Sequence, residues 1–180
     1  MIEQNDRILL VGQGREYWVR AGTGTFSTDK GQVALAKLAG MEPGATIATH
    51  TGFVFTVRTP RPTDFFTHGK RSGAPMLPKD IGLVIAYTGM NRNDTVLDAG
   101  TGSGIAAIYF GGVAGTVKSY EAREEFAALA RKNIEEAKLE NVEIIAADVL
   151  AATGTFDVVH LDLQVQPEHV APAHSLLRTG

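Results

Sequence analysis

The sequence predicts an α/β fold: a mostly parallel open sheet with helices, preceded by a small N-terminal β domain. Three observations predict it. Thr95, Val96 and Leu97 form a short apolar run that Asp98 ends. Gly100, Gly102 and Gly104 then follow on alternate positions before Ile105 to Phe110 resume a helical pattern. Strand, glycine loop and helix together open a nucleotide-binding crossover. Second, further short apolar strands end in carboxylates at Glu121, Asp148 and Asp162. Third, apolar alternation before Thr59 is cut repeatedly by glycine turns, the pattern of hairpins.

The loop carries the chemistry. Glycine lacks a Cβ, so the backbone turns sharply and a ligand approaches closely. Dinucleotide folds use Gly-x-Gly-x-x-Gly and seat a pyrophosphate on the helix N-terminus. Here the spacing is Gly-x-Gly-x-Gly, and Asp98 precedes it. An acid at that place repels a diphosphate and suits an ammonium group. S-adenosyl-L-methionine carries an amino group, a sulfonium and a ribose, and no phosphate. Spacing and charge therefore favour this methyl donor over NAD. Glu121 stands 23 residues after Asp98, near the roughly 20-residue offset at which a strand-end acid reaches a ribose. The candidate donor-binding residues are Asp98, Gly100, Thr101, Gly102, Ser103, Gly104, Glu121, Ala122, Asp148 and Val149. Asp148 has two readings, an acceptor for an adenine amine or a helix cap. Asp162, at the end of the fourth strand, is the candidate substrate-facing acid and the one catalytic candidate.

Composition narrows the classes. Hydrophobic residues make up 44 % of the chain, enough for a buried core. The net charge of −3 argues against broad nucleic-acid binding, while leaving room for a local basic patch. The absence of cysteine excludes disulfides, cysteine nucleophiles and thiolate zinc sites, and no metal site is read. Charges at Glu3, Asp6 and Arg7 do not suit a secretion signal, and no apolar run reaches membrane-spanning length. A cytoplasmic protein with no membrane association is the expectation.

In chain order, residues 1–59 form the β domain. Arg7–Val11 and Glu16–Arg20 pair around Gly12-Gln-Gly14, and Ala45–His50 pairs with Phe53–Arg58 around Thr51-Gly52. Gly31 to Ala39 reads as a short helix, and Trp18, Phe53 and Phe55 as core. Pro60 and Pro62 mark residues 60–79 as a linker or cap. Its cations Lys70, Arg71 and Lys79, with His68, suit either a solvated loop or a cover over the pocket that contacts substrate phosphate. Residues 80–180 form the sheet domain. Pro78 to Asp80 start a helix that Gly89 ends. Glu124 to Leu139 is an amphipathic helix with Phe126, Leu129, Ala130, Asn133, Ile134 and Ala137 on its inner face. Val142–Ile145 and Phe156–Leu163 are the third and fourth strands, with Asp157 and His160 structural, and Glu168 to Leu177 is a helix opened late by Pro172. A sheet of this type needs at least a fifth strand, so a truncated piece is expected, the alternative being a sheet completed from elsewhere.

At these residues the chain resembles the class I S-adenosylmethionine-dependent methyltransferases, with their Rossmann-like domain. More narrowly, it resembles the tRNA (adenine-N1) methyltransferases that act on the T-loop adenine of the position-58 type, especially the archaeal and bacterial homotetrameric kind. The carriers are Arg71-Ser-Gly-Ala-Pro-Met-Leu-Pro-Lys-Asp80, Val96 to Gly104, Ser119-Tyr-Glu-Ala-Arg123, Ala130-Arg-Lys-Asn133 and Leu161-Asp-Leu163. The resemblance implies donor contacts at Gly100–Gly104, Glu121 and Asp148. It also implies an Asp162 that faces the target adenine, a tRNA partner and a homo-oligomer, tetrameric by family. The chain departs from the family pattern at Ala74 and Leu77, and at Gln164-Val-Gln-Pro-Glu168. These departures lie on the substrate side. They keep two alternatives in view, a methyltransferase for a non-tRNA acceptor and a non-catalytic donor-binding or assembly subunit.

Overall fold

The computed structural model describes residues 1–179. The chain divides into two compact units, Met1–Asp64 and a second that begins at Phe65.

The first unit contains β1 (Arg7–Gly12), β2 (Arg15–Arg20), β3 (Thr25–Thr28), β4 (Gly31–Ala34), β5 (Thr46–Ala48) and β6 (Val54–Arg58). Four strands form an antiparallel sheet in the order β2-β1-β6-β5, and β3 pairs with β4 as a separate hairpin. Alternation sends Ile8, Leu10, Val19, Phe55 and Val57 into one core with Val33 and Leu38. The helix expected over 31–39 does not form. Gly31 to Ala34 pair with β3, Val33 is fully buried on that strand, and only Leu35–Lys37 make a 3-10 turn. Cross-strand packing overrides the weak local helix signal. Phe55 is core and Phe53 packs against it, but Trp18 is half-buried, with the Arg7 guanidinium 5.4 Å from its ring centroid.

Helix α1 (Pro62–His68) occupies part of the stretch expected to be linker. Pro62 stands in the first turn, where a missing N–H costs nothing. The Asp64 carboxylate accepts the Arg61 N–H at 2.7 Å and both terminal guanidinium nitrogens of Arg58 at 3.0 and 2.9 Å. That charge-assisted fork fixes the helix start.

The second unit contains α2 (Pro78–Thr88), β7 (Thr95–Ala99), α3 (Ile105–Gly111), β8 (Thr116–Tyr120), α4 (Glu124–Glu136), β9 (Val142–Ile145), β10 (Val158–Leu161) and α5 (Pro167–Leu176). As expected, α2 starts at Pro78 and ends at Gly89 in the left-handed region, φ 68°. The sheet is parallel, in the order β10-β7-β8-β9. The fourth strand is shorter than expected, because Phe156 turns to bond the end of α5 and the residues just beyond it. Its N–H donates to Leu176 O and its carbonyl accepts from Arg178 N–H, both at 2.8 Å. α5 continues through Pro172.

Register makes the site. Leu161, Ala99, Tyr120 and Ile145 lie level across the four strands. The next residue on three of them is Asp162, Gly100 and Glu121. The chain lays β8 and β9 on one side of β7, then crosses to put β10 on the other. The crevice between the ends of β7 and β10 is thus a topological switch point, where open α/β sheets bind ligands.

Candidate active site

Two adjoining cavities open at this edge. The first, of about 300 Å³, is lined by Gly100, Glu121, Ala122, Asp148, Val149 and Asp162. The second, of about 240 Å³, lies between the glycine loop from Gly100 to Ser103 and the segment Ser72–Met76, and also touches Asp162. Of the residues expected to bind the donor, only Asp98 and Gly104 line neither.

Gly100 shows why the loop needs glycine. Its φ is +87°, and a Cβ there would stand 1.9 Å from the Asp162 carbonyl oxygen. Loop and β10 end are therefore in direct backbone contact, which brings the Asp162 side chain beside the loop. Gly104 begins α3 at φ +81°, where a Cβ would meet Ala130 of α4 at 3.2 Å. It lets α3 pack closely on α4.

Four of the five loop amides from Gly100 to Gly104 are spent on the protein. Gly100 and Thr101 N–H both donate to Tyr120 O, at 3.0 and 3.3 Å, and Gly104 N–H donates to Thr101 O at 2.8 Å. Gly102 N–H donates to Glu121 Oε2 at 2.9 Å. A pyrophosphate cradle needs such groups free. Glu121 is 4 % exposed, and its Oε1 accepts the Arg123 N–H and Nε, each at 3.1 Å. Asp148 Oδ1 caps a short turn by accepting Leu150 N–H at 2.8 Å, while the residue also lines the first cavity; its two sequence readings are compatible.

Asp98 lies beneath the loop, 1 % exposed. Its Oδ2 accepts from Ser119 Oγ at 2.5 Å, and its Oδ1 faces His160 Nδ1 at 2.7 Å. Ser119 has one proton and gives it to Asp98, so Thr101 donates to Ser119 Oγ at 2.6 Å. The acid expected to meet an ammonium instead bolts the loop threonine to β7, β8 and β10. Burial alone would lower the pKa of His160. The hydrogen bond and charge of Asp98, with the charge of Asp162, outweigh it and raise the pKa above 6.5. Asp157 is structural, accepting Thr95 N–H at 2.8 Å and pairing with Arg178.

Sequence reasoning gave no role to Arg123 or Asn133. Arg123 lines both cavities and stacks on Phe126, 3.8 Å from guanidinium carbon to ring centroid. Asn133, 3 % exposed, donates from Nδ2 to Lys70 O at 3.0 Å and to Ser103 O at 2.8 Å. It ties Lys70, two residues before the Ser72–Met76 wall, to the glycine loop. Its signal was a lone polar side chain on an apolar helix stripe.

The arrangement fits a phosphate-free nucleoside of positive charge: carboxylates line the cavity and most of the loop amides are already paired. The Ser72 and Ser103 hydroxyls, both buried without a partner at the second cavity, leave two further polar groups to satisfy. Fold and site together define a class I methyltransferase architecture, whose donor is S-adenosyl-L-methionine. A family model for protein-L-isoaspartate (D-aspartate) O-methyltransferase (PCMT) matches residues 72–164, just over half of the chain, and the chain belongs to that methyltransferase family. Among curated relatives, the tRNA (adenine(57)-N(1)/adenine(58)-N(1))-methyltransferase TrmI of Methanocaldococcus jannaschii is 36 % identical over 131 residues, 71 % of this chain and 45 % of the relative. The tRNA (adenine(58)-N(1))-methyltransferase TrmI of Thermus thermophilus is 34 % identical over 160 residues, 84 % of this chain and 62 % of the relative. The chain thus spans about half to three-fifths of the length of these relatives. Among solved structures, an S-adenosylmethionine-dependent O-methyltransferase from Thermotoga maritima superposes with a TM-score of 0.85 at 26 % identity, covering 99 % of this chain and 70 % of that one.

Proposed function

We propose that the chain is the donor-binding and catalytic part of an S-adenosyl-L-methionine-dependent tRNA (adenine-N1)-methyltransferase that acts on the T-loop adenine. The observation that carries this reading is the meeting of the glycine loop, Glu121, Asp148 and Asp162 around two cavities that share Gly100 and Asp162. The naming of both curated relatives as TrmI supports it.

The donor would supply an electrophilic methyl group. Glu121 would accept hydrogen bonds from the ribose, and Asp148 one from the adenine amine. The Gly100–Gly104 loop would lie against the amino-acid end. Asp162 stands where both cavities meet, so an acceptor in the second presents its nucleophile beside this carboxylate. Asp162 would hold the exocyclic amine of the target adenine or take up its proton, and positioning supplies much of the rate. Adenine N1 is paired or stacked in folded RNA, so the base must be turned out to enter. Residues 60–79 would cap the acceptor side and residues 80–180 would hold the donor. A homotetramer in the cytoplasm completes the reading.

Incubating the chain with donor and unmodified tRNA, then analysing nucleosides by mass spectrometry, tests this. The expected product is 1-methyladenosine in the T-loop. The family description makes an isoaspartyl peptide the control acceptor. Methylation of that peptide and not of tRNA would overturn the proposal.

A further inference from the structure

Glu121 has fewer free acceptor positions than its role demands. A carboxylate offers about four lone-pair positions. Three are taken, by Gly102 N–H at 2.9 Å and by the Arg123 N–H and Nε at 3.1 Å each. Two backbone donors are fixed by the loop and the start of α4. The third belongs to a side chain that is 60 % exposed. The guanidinium is open to water, but the carboxylate is 4 % exposed and must keep its donors, so Nε leaves only when another donor takes its place. A ribose presenting two hydroxyls takes the vacant position and displaces Arg123 Nε from the other.

The released cation has a place to act. Arg123 is the one lysine or arginine among the described residues lining either cavity, and it lines both. The other carboxylates and cations lining the two cavities are the acids Glu121, Asp148 and Asp162. A polyanionic strand bringing a base to Asp162 passes these three carboxylates and finds one guanidinium among them. Stacking on Phe126 holds the guanidinium plane beside the second cavity without using its terminal N–H groups. A planar fork of that kind matches a phosphate.

We propose that Arg123 is an exchange residue: donor ribose frees it from Glu121, and it then binds a backbone phosphate of the acceptor RNA next to the target base. Donor binding thereby prepares the acceptor site. This inference rests on the RNA reading above.

The test compares wild type, Arg123→Ala and Arg123→Lys by calorimetry with S-adenosyl-L-methionine, and by steady-state methylation of a tRNA transcript at several salt concentrations. For Arg123→Ala, donor affinity is expected to hold or to tighten up to about fivefold, because a competitor for Glu121 is gone. KM for RNA rises about tenfold or more. The loss falls on KM rather than kcat, and the slope of log KM against log salt drops by about one ion. Lysine recovers part of the KM. Donor affinity that falls tenfold with an unchanged KM for RNA would make Arg123 a donor ligand and overturn the proposal. Should Arg123→Ala fail to fold, Arg123→Gln takes the same measurements. A wild-type chain that methylates no RNA would instead overturn the RNA reading, while the calorimetric arm still decides the exchange at Glu121.

Discussion

His160 and Asp98 face each other across the parallel pair β10–β7, Nδ1 to Oδ1 at 2.7 Å, with 9 % and 1 % of their surface exposed. Breaking a buried pair by removing one partner costs roughly 3 kcal/mol or more, because the other charge stays behind. Burial works against a charged His160; Asp98 and Asp162 together win, so its pKa in the fold lies above 6.5. A raised folded value means that the contribution is complete below about pH 6.5 and fades as pH climbs through the folded value. Thermal midpoints of the wild type should therefore decline on the alkaline side of neutrality. His160→Gln should melt lower at pH 6 and show a flatter profile. A parallel profile for the two proteins would contradict the pairing.

Glu121 is the proposed donor anchor. Glu121→Ala removes the proposed ribose acceptor and strands Gly102 N–H. Donor affinity should fall about tenfold or more by calorimetry. Unchanged affinity would refute the anchor role.

Asp162 should separate binding from chemistry. Asp162→Asn keeps the backbone contact with Gly100 and removes the carboxylate. Turnover should fall about 10²- to 10⁴-fold, the range of a positioned acid or base. Donor affinity should stay within about threefold of wild type, since Glu121 and Asp148 remain. Equal losses in both would place Asp162 in the donor site instead.

Gly100→Ala tests the close approach. Its Cβ would fall 1.9 Å from a backbone carbonyl, at a φ of +87° that L residues avoid. The loop or β10 must move, at a cost of about 1–3 kcal/mol. A lower thermal midpoint together with weaker donor binding is expected. Gly102 has open space around it, with Gly100 O the nearest atom at 3.9 Å. Gly102→Ala should cost less.

Asn133→Leu removes the tie between Lys70 and Ser103. Trypsin should then cut faster after Lys70 or Arg71 than in the wild type. Cleavage at equal rates would show that the wall holds without it.

The sheet and the ring of acids were legible because both are local. Apolar runs mark strands, and the residue after each run marks its tip, which is how Glu121, Asp148 and Asp162 were found. The partners of Asp98 were not legible because they are remote: Ser119 and His160 lie 21 and 62 residues away and meet it through register. The helix expected over 31–39 failed for the same reason, since pairing with β3 is a tertiary event. Helix α1 was missed because Pro62 reads as a breaker when taken with Pro60, whereas Asp64 and Arg58 close its first turn. Arg123 and Asn133 stand in motifs whose spacing was noticed, but their duties depend on which walls the fold brings within reach.

The paired amides of the glycine loop bear on life in a crowded cell. ATP, GTP and NAD are abundant competitors for any purine-shaped cleft, and each carries phosphate. With carboxylates lining the donor side and most loop amides already paired, their phosphates are expected to be disfavoured there for as long as Glu121 holds Arg123. Inhibitors built on nucleotide scaffolds should fail here, whereas cationic nucleosides should succeed.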